Sequence, residues 1–332
     1  MENNIDALRA FRIINRVIES LDLNLKGKTV LTEVGSNNYI YTPLIAAMAG
    51  ATKVIAWAKD SRYGQADKII EECTSLAKLL NVANTITFRA NAYPVEDIEM
   101  ADVITNSGVL RPIDVNFVSH MKPDAVLPLM FEAWELREED IDIKACKDKG
   151  IKVAGTWENH PEIKVFDYTG LLAVKLLLNA GVEIYDSNIV VWSNDHFGEV
   201  AEKTLKNLGA KNVWVTTKSD ELYGLLTQID AIYICNYNEE RQYFGDNGFL
   251  DLKRMVSVNN AFTLVHLYGN ISAKFCKDNG LKLYPERDGK SKLMTETLGY
   301  VGLEPLLRLQ VAGFKVAECL LKAEGSDLVQ LL

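Results

Sequence analysis

The sequence predicts an α/β protein with two doubly wound Rossmann-like domains, each built on a parallel sheet, and a cleft between the domains. Short apolar, β-branched runs alternate with segments of helical periodicity along most of the chain. Strands of this kind are buried on both faces, which is typical of parallel sheets covered by helices. The chain has 332 residues, and single cores stop growing near ~250–300 residues, so two domains are expected.

Composition limits the kinds of molecule that the protein is expected to bind. The chain has 36 basic and 45 acidic residues, a net charge of -9. This excess disfavours nucleic acid and anionic membranes, which would repel the protein at long range. The five cysteines are widely spaced without a CxxC pair, so neither a metal site nor a disulfide framework is predicted. No apolar stretch approaches the ~20 residues of a membrane span, and the N-terminus lacks signal-peptide features, so a cytoplasmic location is expected.

The first half of the chain begins with an amphipathic helix, predicted over residues 5–21. The period then changes to that of a strand, and a strand–loop–helix–strand unit follows. Further strands and helices extend the same pattern up to a polar stretch at residues 155–161. Predicted strands are 29–34, 53–58, 85–89, 102–106, 125–130 and 151–154, and predicted helices are 43–49, 65–80 and 140–150.

The second half repeats this organisation. A helix over 165–180 leads into a second strand–loop–helix–strand unit, and the chain ends in a long amphipathic helix over 304–322. Predicted strands are 189–192, 213–216, 231–235, 261–266 and 281–284, with a helix over 199–208.

In each predicted sheet one loop follows the first strand, at the edge where ligands of open parallel sheets bind. The first contains Gly35 and the polar residues 36–38. With the run 50–58 and the strand 85–88, this part resembles the front half of S-adenosylmethionine-dependent methyltransferases. That resemblance implies an S-adenosyl ligand at residues 35–38, with Asp60 on its ribose, although Asp60 lies two positions later than the family's acidic residue. The other interpretation is a flavodoxin-like domain that binds no ligand at the end of this strand.

The second loop has the strand–loop–helix context of a dinucleotide fingerprint. Gly198 occupies the position of the third glycine of this fingerprint, whereas Ser193 and Asp195 occupy the positions of the first two. The next strand ends at Thr216, and Lys218 follows where an acidic residue would hold a ribose, so NADP is favoured over NAD. The predicted cofactor-binding residues are Ser193, Asn194, Asp195, His196, Phe197, Gly198, Thr216 and Lys218.

From about residue 101 onward the order of segments resembles the D-2-hydroxyacid dehydrogenases. The landmarks are residues 139–145, 150–153, 167–179, 252–255 and 295–300, together with Gly198. In that family the last chain segment returns to the first domain. The resemblance therefore implies a first, substrate domain of residues 1–160 plus 305–332, a dinucleotide-binding domain of residues 161–304, and a homodimer.

Two residues of that family's chemistry are not matched. The position of the carboxylate-binding arginine is occupied by Tyr268, and the Thr-Pro-His segment with the acid/base histidine is replaced by residues 295–297, Thr-Glu-Thr. A neutral tyrosine lacks the charged, bidentate grip of arginine. Candidates for the reacting centre are instead His266, Tyr268 and Glu296, and His266 fits a structural histidine equally well. Glu132 and Glu135 follow a strand at the end where the family contacts its substrate.

These observations favour an NAD(P)-binding, oxidoreductase-like protein that acts on an unidentified small molecule. A methyltransferase-like protein that binds S-adenosylmethionine is one alternative. A non-catalytic Rossmann-fold binding protein is the other, because two of the three fingerprint glycines and the family's Arg and His are missing.

Overall fold

The computed structural model describes residues 2–332, with side chains from Ala7 onward. The strands are β1 Thr29–Glu33, β2 Lys53–Ala58, β3 Ile86–Ala90, β4 Val103–Ile104, β5 Val126–Pro128, β6 Lys152–Thr156, β7 Asn188–Trp192, β8 Asn212–Thr216, β9 Ala231–Ile234, β10 Gln242–Phe244, β11 Thr263–His266, β12 Asn270–Ile271, β13 Lys282–Tyr284 and β14 Val329–Leu331. The α-helices are α1 Glu2–Ser20, α2 Thr42–Met48, α3 Ala66–Leu79, α4 Val95–Glu99, α5 Val115–His120, α6 Ile143–Lys149, α7 Tyr168–Asn179, α8 His196–Asn207, α9 Ser219–Leu225, α10 Leu252–Val258, α11 Ala273–Asp278 and α12 Glu304–Lys322.

The chain forms two compact units, each with its own main sheet, and unit 2 also contains the two-stranded pair β10-β12. Unit 1 comprises residues 1–165 and 303–332, and unit 2 comprises residues 166–302. Both units are doubly wound α/β structures with parallel strands, apart from one antiparallel edge strand in unit 1. The predicted fold class is confirmed in this respect.

The sheet of unit 1 has the strand order β14-β6-β5-β4-β1-β2-β3. From β1 the chain adds β2 and β3 on one side and then returns to add β4, β5 and β6 on the other, so β1 and β4 flank the topological switch point. The antiparallel strand β14 pairs with β6 and was not predicted. The terminal helix α12, predicted at these bounds, is buried against the same unit. A Cβ built at its Gly313 would lie 2.2 Å from Met130 Sδ, so a larger residue there would require the Met130 side chain to move.

The sheet of unit 2 has the order β13-β11-β9-β7-β8, with its switch point between β7 and β9. Side chains of β7 alternate between two hydrophobic cores. Ile189 and Val191 pack on one face, and Val190 and Trp192 pack on the other. This alternation explains the continuous apolar run that predicted the strand, because both faces of the sheet are covered.

No helix within residues 2–332 combines the length and the apolar character that crossing a bilayer requires. All five cysteines are buried and carry free thiols.

Candidate functional site

The loop after β7 centres on Asp195, which caps helix α8. One carboxylate oxygen, Oδ1, accepts the backbone N–H of Phe197 at 3.1 Å and the hydroxyl of Ser193 at 2.6 Å. The other, Oδ2, accepts the backbone N–H of Tyr237 at 2.7 Å. Because Tyr237 follows β9, this carboxylate links the ends of the two strands that flank the switch point of unit 2.

This position normally suits a ligand anion. Backbone N–H groups at a helix N-terminus attract negative charge, and dinucleotide-binding units place their pyrophosphate there. In this protein an anion from the chain itself accepts those hydrogen bonds. The second glycine of a fingerprint lets a pyrophosphate approach the backbone, and Asp195 puts a carboxylate in its place.

Gly198 makes the close contact expected of the third fingerprint glycine. A Cβ built there would lie 2.6 Å from Ser193 Cβ and 2.8 Å from Ser193 Oγ. Only glycine therefore lets the first turn of α8 pack this closely against the end of β7.

The other loop residues lie around an aromatic cluster in unit 2. The ring of His196 stacks on Phe166 at 4.6 Å between centroids, and its Nδ1 lies 2.8 Å from Glu199 Oε2. Phe197 is buried and meets the ring of Tyr268 edge-on at 5.0 Å. Asn194 is exposed.

The end of β8 carries a carboxylate that sequence reasoning missed. Glu221, in the first turn of α9, accepts hydrogen bonds from Thr216 Oγ1 at 2.7 Å and from Lys218 Nζ at 2.8 Å. These two contacts lower the pKa of Glu221. Its position three residues after Lys218 was a usable signal, since residues i and i+3 at a helix start are neighbours. Lys218 therefore does not present an uncompensated positive charge, which removes the reason for favouring NADP over NAD.

The residues of the predicted reacting centre each have other contacts within unit 2. His266 is fully buried, with Nε2 3.1 Å from the carbonyl oxygen of Pro285 and Nδ1 without a hydrogen-bond partner. Burial lowers the pKa of His266 to about 4. This burial favours the interpretation of His266 as a structural histidine, and its catalytic role stays a prediction.

Tyr268 and Glu296 have their own partners in unit 2. Tyr268 is buried, with its ring perpendicular to that of Tyr237 at 5.4 Å. Glu296 pairs with Arg287 at 2.6 Å. The catalytic role of these residues stays a prediction that the geometry does not strengthen.

Unit 1 gathers three glutamates at the ends of β5 and β6. Glu132 Oε1 accepts the backbone N–H of Glu158 at 3.0 Å, and Glu132 Oε2 accepts the indole N–H of Trp134 at 2.5 Å. Glu135 Oε1 accepts the backbone N–H of Glu132 at 3.3 Å. Loss of solvation, reinforced by the neighbouring carboxylates, raises the pKa of Glu135 to about 7 and that of Glu158 well above its ordinary value. Glu158 was missed because it follows a different strand from the other two.

The switch point of unit 1 holds another buried carboxylate, Glu33 at the end of β1. Its Oε2 accepts the backbone N–H of Val109 at 3.0 Å. Burial raises the pKa of Glu33, while this hydrogen bond and the charge of Arg111 oppose the rise.

The two features that suggested an S-adenosyl ligand have structural partners in unit 1. A Cβ built at Gly35 would lie 2.7 Å from Tyr39 Cβ, so this glycine allows the loop to fold on itself. Asp60 Oδ1 accepts the backbone N–H of Ala66 at 2.8 Å. Asp60 thus organises the loop that leads into α3.

Over residues 2–332, no group of three or more His, Cys, Asp or Glu side chains has an arrangement that could hold a metal ion.

The chain is similar in structure to several solved proteins. No family model matches the sequence, and no curated protein matches it. Among solved structures, a dipicolinate synthase polypeptide from Bacillus subtilis is similar over 92% of this chain and 100% of its own length, with 12% identity and a TM-score of 0.56. TP0037 from Treponema pallidum, a D-lactate dehydrogenase, is similar over 92% of this chain and 100% of its own length, with 11% identity and a TM-score of 0.51.

The chain has the two-unit fold of the D-2-hydroxyacid dehydrogenases. The dipicolinate synthase counterpart from Bacillus halodurans agrees, with 13% identity, a TM-score of 0.53, and coverage of 90% of this chain and 98% of its own length. The resemblance predicted from the order of segments is therefore confirmed at the level of fold.

Proposed function

We propose that the protein is an NAD(P)-binding, oxidoreductase-like protein whose cofactor binds at the carboxyl edge of the unit 2 sheet. The observation that carries this proposal is the packing of Gly198 against Ser193 beside the switch point. Dinucleotide-binding units require this close helix–strand contact. The shared fold supports the same interpretation.

The ribose position favours NAD over NADP. Glu221 neutralises Lys218 and accepts the hydroxyl of Thr216, so a carboxylate stands at the end of β8. A carboxylate at this point accepts hydrogen bonds from ribose hydroxyls and repels a 2′-phosphate. Thr216 and Glu221 are therefore the residues that would hold the adenosine ribose.

The start of α8, where the pyrophosphate of the cofactor would bind, fits the cofactor less well than the ribose position does. The Asp195 carboxylate already accepts the N–H groups of Phe197 and Tyr237. The burial of His266 and its pKa of about 4 do not favour it as the acid/base group.

The substrate is proposed to be a small molecule. A homodimer and a cytoplasmic location remain predictions.

A thermal-shift panel tests the proposal. The purified protein is heated with NAD, NADH, NADP, NADPH, S-adenosylmethionine or S-adenosylhomocysteine. A ligand at 100 times its dissociation constant stabilises the folded state by about 2.7 kcal/mol. We expect stabilisation by NAD or NADH that exceeds that by the phosphorylated forms.

Two variants localise the effect. Glu221→Gln removes the carboxylate beside the ribose and should shift preference toward NADPH. Lys274→Gln, on the exposed face of α11 where Lys274 pairs with Asp278, should behave like the unmodified protein. Stabilisation by an S-adenosyl compound alone would contradict the proposal, as would no response to any nicotinamide nucleotide.

A further inference from the structure

The Asp195 carboxylate makes the hydrogen bonds that the loop would offer a pyrophosphate. Its two oxygens accept the backbone N–H groups of Phe197 and Tyr237 at 3.1 and 2.7 Å. These donors come from the loops after β7 and β9, on the two sides of the switch point. An aspartate that only capped α8 would need the first of these contacts and not the second.

The loop is also braced to keep the carboxylate in place. The Ser193 hydroxyl donates to Asp195 Oδ1 at 2.6 Å, and the backbone N–H of Asp195 lies 3.2 Å from Ser193 Oγ. Ser193 is itself fixed against Gly198. Ser193 and Asp195, which replace the first and second fingerprint glycines, are thus hydrogen-bonded to each other.

Electrostatics gives this arrangement a consequence for ligand choice. A pyrophosphate at the start of α8 would compete with the carboxylate for the same N–H groups and would be repelled by its charge. A neutral ligand, or the nucleoside part of a cofactor, would meet neither cost.

We infer that Asp195 is a specificity-determining residue: its carboxylate occupies the pyrophosphate donors of unit 2 and weakens the binding of ligands that carry a diphosphate. This inference rests on the proposed function, because it concerns the same site, and it implies that the natural chain binds the diphosphate of NAD more weakly than a chain without this charge. Removal of the charge, with the helix cap preserved, should therefore tighten binding of diphosphate ligands.

Three variants separate charge from capping. Asp195→Ser keeps a good N-cap, removes the charge and frees the N–H of Tyr237. Asp195→Asn keeps the size and one acceptor. Asp278→Asn makes the same change of charge on α11, where Asp278 pairs with Lys274, and serves as the control.

Isothermal titration with inorganic pyrophosphate and with NADH measures the effect, and circular dichroism with melting curves establishes that each variant is folded. We expect Asp195→Ser and Asp195→Asn to bind both ligands at least tenfold more tightly than the unmodified protein, and Asp278→Asn to match it. The gain should shrink at high salt, since screening weakens the repulsion that Asp195 exerts.

The outcomes distinguish this inference from the proposed function. If the unmodified protein binds NADH and both Asp195 variants bind it equally or more weakly, the inference is wrong and the proposed function stands. If only the Asp195 variants bind NADH, the inference stands and the proposed function is wrong for the natural chain. If no folded form binds either ligand, both are overturned.

Discussion

The glutamate cluster of unit 1 should make stability depend on pH in a defined direction. Glu135 has its pKa raised to about 7 from an ordinary 4.5. Between these values the folded chain holds a proton that the unfolded chain has released, so the free energy of unfolding falls as pH rises. The contribution of Glu135 to this fall is complete above pH 7, where Glu135 is ionised in the folded chain as well.

The structure sets the size of this effect. Each pKa unit corresponds to 1.36 kcal/mol, so the shift of Glu135 is worth about 3 kcal/mol above pH 7. Glu135→Gln keeps an acceptor for the backbone N–H of Glu132 and removes the charge. We expect the variant to match the unmodified protein near pH 4.5 and to be more stable by about 2–3 kcal/mol at pH 8, which raises Tm by roughly 5–10 °C.

Melting curves recorded from pH 4.5 to 8.5 measure this difference. Glu158→Gln should change stability in the same direction, since Glu158 belongs to the same cluster. Glu138→Gln, an exposed residue in the neighbouring segment, is the control and should have little effect at any pH. A Glu135→Gln protein that is no more stable at pH 8, or equally stabilised at pH 4.5, would refute the reasoning.

Two further predictions concern unit 2. Gly198→Ala should lower the free energy of unfolding by about 1–3 kcal/mol, because the new Cβ overlaps Ser193 and forces α8 away from β7. In melting curves the double variant with Ser193→Gly should recover most of this loss. A Gly198→Ala protein as stable as the unmodified one would disprove the packing argument. His266 should stay neutral down to about pH 4, as followed by proton NMR of its ring, because burial disfavours the charged form. Its lowered pKa makes the free energy of unfolding fall as pH drops from 6.5 toward 4, since the unfolded histidine takes up a proton that the folded one does not. A His266 resonance that titrates between pH 6 and 7 would contradict this assignment.

The sequence by itself determined the elements that depend on local pattern. Continuous apolar runs predicted buried parallel strands such as β7, and helical periodicity predicted α12 at its observed bounds. The spacing of Gly198 after the strand also identified the point of close helix–strand contact. Each of these signals lies within a few residues, so the chain carries it before any tertiary contact forms.

Tertiary structure alone decided which distant groups meet. The hydrogen bond between Asp195 and the backbone of Tyr237 joins residues 42 positions apart. The antiparallel pairing of β14 with β6 and the meeting of Glu158 with Glu132 likewise depend on the order of strands in the sheet. Burial also favours one of the two interpretations of His266, that of a neutral core residue, over that of an accessible base. No local pattern encodes these outcomes, because the desolvation of a side chain and the partners of its polar atoms are set by what packs around it after folding.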